Sequence, residues 1–170
     1  MDFQDIILKL NQYWAKQGCA VLPPGPAADF TAHQAPLSLA GAARALPGAG
    51  GEEKFPGRYR YLVLLRPAPP DIRRVFLNSF KAAGLDRTEH DVRWLADSRE
   101  AGRGWEVLLD GLPAARFAYL PEPGQACVEL AFSLERLALA SQRKKNISDL
   151  SWAGRLTYGD LHRGPGAEGE

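Results

Sequence analysis

The chain has 170 residues, 45% of them apolar and 24% charged, with 21 Lys and Arg against 20 Asp and Glu and a net charge of +1. That length favours one domain, the composition excludes a disordered chain, and the charge balance excludes a general attraction to polyanions, so no DNA partner is expected and any RNA contact must come from a local patch. No apolar run approaches the ~20 residues of a membrane span, the start with Asp2 and Asp5 lacks the basic region of a signal peptide, and Cys19 and Cys127 form neither a CxxC pair nor a disulfide framework, so a cytoplasmic protein without a membrane partner is expected.

Phe3, Ile6, Ile7, Leu10, Tyr13 and Trp14 recur at helical spacing, with Asp2 placed to cap the start and Gly18 to end the helix. Ala20-Val21-Leu22 reads as a short strand entering Pro23-Pro24. Residues 23–57 are rich in Gly, Ala and Pro, and read as a long loop with a short Ala-rich helix near Leu39–Leu46. Tyr59–Leu65 is a strand with one buried face. After Pro67, Pro69 and Pro70, Asp71 opens a second amphipathic helix with Ile72, Val75, Phe76 and Phe80 inward, closed by Gly84.

Val92–Leu95 is the next strand. Trp105–Leu109 and Arg116–Leu120 read as a hairpin turning near Asp110-Gly111. Val128–Phe132 is a further strand, and Leu134, Leu137, Ala138 and Ser141 mark a helix after it. This order predicts an α+β fold, helices against an antiparallel sheet, because the hairpin breaks strict βαβ alternation. The expected organisation is one domain over 1–163 and a flexible tail over 164–170.

Five blocks, in one order along the chain, resemble the alpha subunit of bacterial heterotetrameric glycyl-tRNA synthetase. They are Phe3–Leu22; Leu64-Leu65-Arg66-Pro67-Ala68-Pro69 with the helix Asp71–Gly84; Glu89–Trp94; Gly104-Trp105-Glu106-Val107 through Asp110-Gly111 to Arg116-Phe117-Ala118-Tyr119; and Glu129–Ala138 with Asn146–Trp152 and Thr157-Tyr158-Gly159-Asp160. Each block alone is weak, since Leu-Glu-Arg-Leu-Ala occurs in many helices. Their shared order is what carries the resemblance. It implies a class II aminoacyl-tRNA synthetase core, an antiparallel six-stranded sheet flanked by helices, that forms glycyl adenylate from ATP and glycine with Mg2+. It also implies a homodimer, a beta-type partner subunit, and tRNA reached indirectly through that partner.

Adenylate formation needs cations at the triphosphate, and arginine's planar fork suits that role. By resemblance, Arg136 is the third-motif arginine that braces the ATP tail, and Glu129 is that motif's earlier glutamate, beside the Mg2+. Arg58 or Arg60 stands in for the phosphate arginine of the second motif, and Trp105, Glu106, Arg116 and Tyr119 line the substrate pocket. Against these roles stand blander ones: solvated helix residues for Glu135 and Arg136, and strand charges for Glu129, Arg58 and Arg60.

The departures are concrete. The second motif's arginine-bearing first strand and most of its loop have no clear counterpart before Phe55–Tyr61. The family's Gln-Phe-Thr-Tyr-Phe-Gln becomes Arg116-Phe117-Ala118-Tyr119-Leu120-Pro121, and Ser133 replaces the third motif's glycine. His33 is followed by Gln34 in place of proline, and Leu39 stands at an arginine position. His33, His90 and His162 lack ligand-like partners in sequence, His90 reads as orienting a strand entry, and Arg143-Lys144-Lys145 reads as a solvated helix end. Three readings follow: a reduced glycine-activating enzyme; a degenerate, non-catalytic binding or regulatory subunit; or adenylation of another small acid, for which Arg116 would suit a carboxylate.

Overall fold

The computed structural model describes residues 1–26, 37–44, 58–97, 103–120 and 126–162. Helix α1 (Phe3–Lys16) is followed by short strands β1 (Ala20–Val21) and β2 (Gly25–Pro26), then β3 (Leu39–Arg44) and β4 (Tyr59–Leu65). Helix α2 (Ile72–Ala82) leads to β5 (Val92–Ala96), β6 (Gly104–Leu109), β7 (Leu112–Leu120) and β8 (Cys127–Ser133). Helix α3 (Leu134–Gln142), a 3-10 turn (Ile147–Asp149), the ribbon β9 (Ser151–Ala153) and β10 (Leu156–Thr157), and helix α4 (Tyr158–His162) complete the described chain.

The sheet runs β1-β3-β4-β8-β7-β6-β5, with β2 also on β3. From β3 to β5 every pairing is antiparallel, which gives the expected six-stranded antiparallel sheet; β1 and β2 join β3 in parallel. The expected elements fall where their periodicity put them. Gly18 and Gly84, at φ +96° and +84°, take the left-handed turn after α1 and α2 that a residue with a Cβ adopts only at a cost. Asp71 does precede α2, but its carboxylate bonds Arg74 and leaves the helix amides alone.

One expectation is overturned. Leu39–Arg44 is no helix within a long loop; it is strand β3, registered against β4 from Leu39 opposite Leu64 to Arg44 opposite Tyr59. Alanine favours helix in isolation, but here small side chains let β3 pair closely alongside β1 and β2: a Cβ added at Gly41 would come within 3.0 Å of the Leu22 carbonyl oxygen. The region 23–57 therefore carries β2 and β3; its stretches 27–36 and 45–57, and the tail from residue 163, lie outside the described residues.

Strand alternation sorts the sheet into two faces. Tyr61, Val63, Val107, Phe117, Val128, Leu130 and Phe132 pack with Phe3, Ile6, Leu10 and Trp14 of α1, Phe76 and Phe80 of α2, and Leu134 and Leu137 of α3. Phe76 stacks on Phe132 and meets Phe80, Phe117 and Trp94 edge-on. All three long helices thus cover one face. The second face holds a small apolar cluster around Leu39 and Leu64 and most of the sheet's charges.

Candidate functional site

Directly opposed residues of an antiparallel pair share a face, so the register gives the layout of the second face. One row runs Ala43–Arg60–Ser133 across β3, β4 and β8. The next runs Gly41–Leu62–Ala131–Arg116–Glu106–Leu95 across all six strands, and the third Leu39–Leu64–Glu129–Ala118–Gly104. Glu129, Arg116 and Glu106 therefore form one group on this face. Arg60 stands toward the β8–α3 junction, about 13 Å up the strands from Glu129 at ~3.3 Å per residue.

Arg60 is only 4% exposed, so its charge is held in a poorly hydrated setting where it interacts strongly with anions. Arg58 is exposed at the entry to β4. Arg116 faces the buried carboxylate of Asp97 at 3.6 Å, an ion pair with no counterpart in the sequence reading. Leu39, at the family's arginine position, is buried in the small apolar cluster, while His33, Gln34 and Pro121 lie outside the described residues.

The four expected pocket residues do not share a face. Glu106 and Arg116 are paired on the second face, but Trp105 and Tyr119 point to the helix side. There Trp105 meets Trp94, Phe117 and Tyr119, and the Arg73 guanidinium lies 4.7 Å from its ring centre. The reason is period-two alternation: residues 105 and 106 cannot both face one side of a regular strand.

Arg136 lies on the first turn of α3. It lines a cleft of about 310 Å³ with Leu109, Asp110, Leu112, Leu139, Ala140, Lys144 and Lys145. Its Nε is buried without a hydrogen-bond partner among the described residues, and that burial lowers the guanidinium's pKa. The structure does not group Arg136 with Glu129.

Its neighbour Glu135 is not a solvated helix residue: it is fully buried. Its carboxylate accepts the backbone N–H groups of Arg58 at 2.8 Å and Tyr59 at 3.1 Å, and the Tyr158 hydroxyl at 2.9 Å. Desolvation raises the Glu135 pKa, and these donors oppose the rise. Ser133 caps α3, its Oγ accepting the Arg136 N–H at 3.2 Å. At φ −82° the position has no conformational need of glycine, and serine supplies the cap.

Three residues escaped the sequence reading. Arg44 ends β3 and is the arginine carried by the first strand of the β3–β4 pair, opposite Tyr59 and not in the Arg60 row. Asp97 gave no signal. Tyr158 was visible only as part of a block, and its buried bond to Glu135 could not be read from spacing. Arg143 and Lys144 serve local structure: Arg143 takes φ +56° after α3 and pairs with Glu89 at 3.2 Å, and the Lys144 Nζ donates to the Asp149 carbonyl at 2.8 Å. Among the described residues no group of three or more His, Cys, Asp or Glu is arranged for a metal, and no helix is long and apolar enough to cross a membrane.

Two structures of pyrrolysyl-tRNA synthetase from Desulfitobacterium hafniense are similar. One superposes with a TM-score of 0.63 at 10% identity, over 89% of this chain and 73% of that one. The other superposes with a TM-score of 0.66 at 13% identity, over 92% and 75%. At that identity the likeness shows the fold, the catalytic core of class II aminoacyl-tRNA synthetases. The model of the glycyl-tRNA synthetase alpha subunit family matches residues 49–169, and with most of the chain covered in this way the protein belongs to that family.

Proposed function

We propose that this chain activates glycine with ATP and Mg2+ to form an enzyme-bound adenylate, and that it does so on the second face of the sheet. The observation that supports this reading most is the family match over residues 49–169, which spans β4 and the whole β5–β8 sheet. In the proposed reaction the glycine carboxylate attacks the α-phosphate and pyrophosphate leaves.

Arg60 meets the phosphates from the β8–α3 end of the face, with the exposed Arg58 at the same end of β4 and Arg136 bracing the tail from the first turn of α3. Glu129 is the carboxylate that would hold the Mg2+, on the same face as Glu106 and Arg116. A single carboxylate would be enough to hold Mg2+ there, and the ion would supply positive charge against the triphosphate. Glu106 and Arg116 border the acceptor pocket. Trp105 and Tyr119 stiffen the back of β6 and β7 without touching the substrate. We further propose a homodimer in the cytoplasm that reaches tRNA through a beta-type subunit.

Glycine-dependent exchange of labelled pyrophosphate into ATP tests the reading. Exchange above an enzyme-free blank, abolished by omitting glycine, is the expected result; none at any amino acid would reject it.

One observation favours a second reading. Arg116, where the family has an amide, is committed to Asp97, and Ala118 offers a methyl where the family has a hydroxyl. A pocket built to hydrogen-bond a small zwitterion loses much of its selectivity when its polar groups are exchanged in this way. A non-catalytic subunit, or an enzyme for another small acid, fits that change. Exchange driven by a different acid would identify the latter.

A further inference from the structure

The Thr157-Tyr158-Gly159-Asp160 segment has no assigned contact with substrate, yet its Tyr158 side chain reaches the entry of β4. Four residues close a ring of hydrogen bonds there. Glu135 accepts the Tyr158 hydroxyl and the Tyr59 amide; the Tyr59 hydroxyl meets His162 Nε2 at 2.7 Å; and His162 Nδ1 meets the Tyr158 carbonyl oxygen at 2.7 Å. Because a carbonyl only accepts, His162 donates from Nδ1, and in the neutral imidazole Nε2 accepts from Tyr59.

The ring sits in an aromatic nest. Tyr158 stacks on His162 with 4.0 Å between ring centres, Trp152 packs edge-on against Tyr59, and Phe3 of α1 stacks on Trp152 at 4.6 Å. A Cβ at Gly159 would come within 3.0 Å of the Ser148 carbonyl oxygen, so a side chain there would push α4 away from the ring.

The ring joins the first turn of α3, the first residues of β4, and α4. We propose that Tyr158 and His162 are positioning residues for the nucleotide site: through Glu135 and Tyr59 they hold Arg58 and Arg60 in place against the first turn of α3, where Arg136 lies. The inference rests on the nucleotide reading of the second face, and it makes the C-terminal helix part of that site without any contact with substrate. A closed ring is suited to the task because each member fixes the rotamer of the next, and the low-polarity surroundings make each bond costly to leave unmade.

The test uses the full chain with Tyr158→Phe, His162→Gln and, as a control, the core variant Phe80→Leu, chosen for a comparable loss of Tm. Two quantities are measured: amide hydrogen exchange at Arg58 and Tyr59, and Mg-ATP affinity by titration. Tyr158→Phe is expected to speed exchange at both amides and weaken ATP binding, each about tenfold, the equivalent of one hydrogen bond. His162→Gln should act in the same direction, and Phe80→Leu should leave ATP affinity within about twofold of the unaltered chain.

Unchanged exchange and affinity in folded Tyr158→Phe would overturn the proposal, as would an equal loss of ATP affinity in Phe80→Leu. If the unaltered chain binds no Mg-ATP, the nucleotide reading fails and this role for the ring fails with it. The exchange measurement then still decides whether α4 holds the start of β4.

Discussion

Arg116 of β7 and Asp97, the residue after β5, face each other at 3.6 Å on the second face with β6 between their strands, the Asp97 side chain 6% and the Arg116 side chain 36% exposed. An acid that deep needs its cation, because removing one partner of a buried pair leaves the other charge poorly solvated. Arg116→Gln should therefore destabilise the fold by about 1–3 kcal/mol, while Arg116→Gln with Asp97→Asn should recover most of the loss. Urea unfolding of the four chains of the cycle measures the coupling. Additive effects would mean that the two groups do not stabilise each other, and would free Arg116 for a substrate carboxylate.

Arg60 is the cation the fold places on the same face as Glu129 and Arg116, nearly buried, in the row of Ser133. Arg60→Lys keeps the charge but loses the planar fork. If the second face binds the triphosphate, this change should cut pyrophosphate exchange by at least tenfold with a smaller effect on Tm, and Arg60→Ala should cost ~10²-fold or more. Equal exchange rates in Arg60→Lys and the unaltered chain would remove Arg60 from the phosphate site.

The long elements were legible because burial imposes period: Phe3, Ile6, Leu10 and Trp14 could only be one face of a helix, and Asp110-Gly111 between two apolar runs could only be a tight hairpin. Strand β3 was not legible, because Leu-Ala-Gly-Ala-Ala-Arg carries no alternation; its strand state comes from pairing with β4 and from β1 and β2, which are distant in sequence. The site was legible only one residue at a time. The resemblance picked out Trp105, Glu106, Arg116 and Tyr119 together, and alternation then divided them between two faces. Glu135 looked like a helix surface charge because its three donors come from Arg58, Tyr59 and Tyr158, far along the chain.

The hairpin between β6 and β7 should show its own pH dependence. Asp110 and Gly111 both have positive φ, at 52° and 84°, as a two-residue turn of this kind requires. Burial pushes the Asp110 pKa up, but the hydrogen bond to His90 at 2.7 Å, the Asp91 N–H at 2.8 Å and the His90 charge together pull it below the usual value. A lowered folded-state pKa means stability that is present above the unfolded value, near pH 4, and lost as pH falls through the folded value. The side chain is 44% exposed, so the effect is a few tenths of a kcal/mol up to about 1. Asp110→Asn, which tolerates the left-handed conformation, should be less stable than the unaltered chain at pH 7 and equal to it near pH ~2. A gap that stays constant with pH would show that the loss is not carried by the carboxylate.

Ser133 separates a requirement of folding from a requirement of the site. Its Oγ caps α3 through the Arg136 amide, and by alternation its side chain lies on the second face beside Arg60. Ser133→Ala removes the cap and should cost ~1 kcal/mol in chemical unfolding, while Ser133→Gly should cost only a few tenths because glycine is itself a fair N-cap. Glycine also clears volume in the Ala43–Arg60–Ser133 row, where the family has glycine and the proposed nucleotide must come closest to the backbone. If the second face binds nucleotide, Ser133→Gly should therefore tighten Mg-ATP binding while slightly lowering Tm, and Ser133→Ala should lower Tm without tightening. Parallel changes in affinity and stability for both variants would show that this row does not meet the nucleotide, and that serine is present only to start the helix.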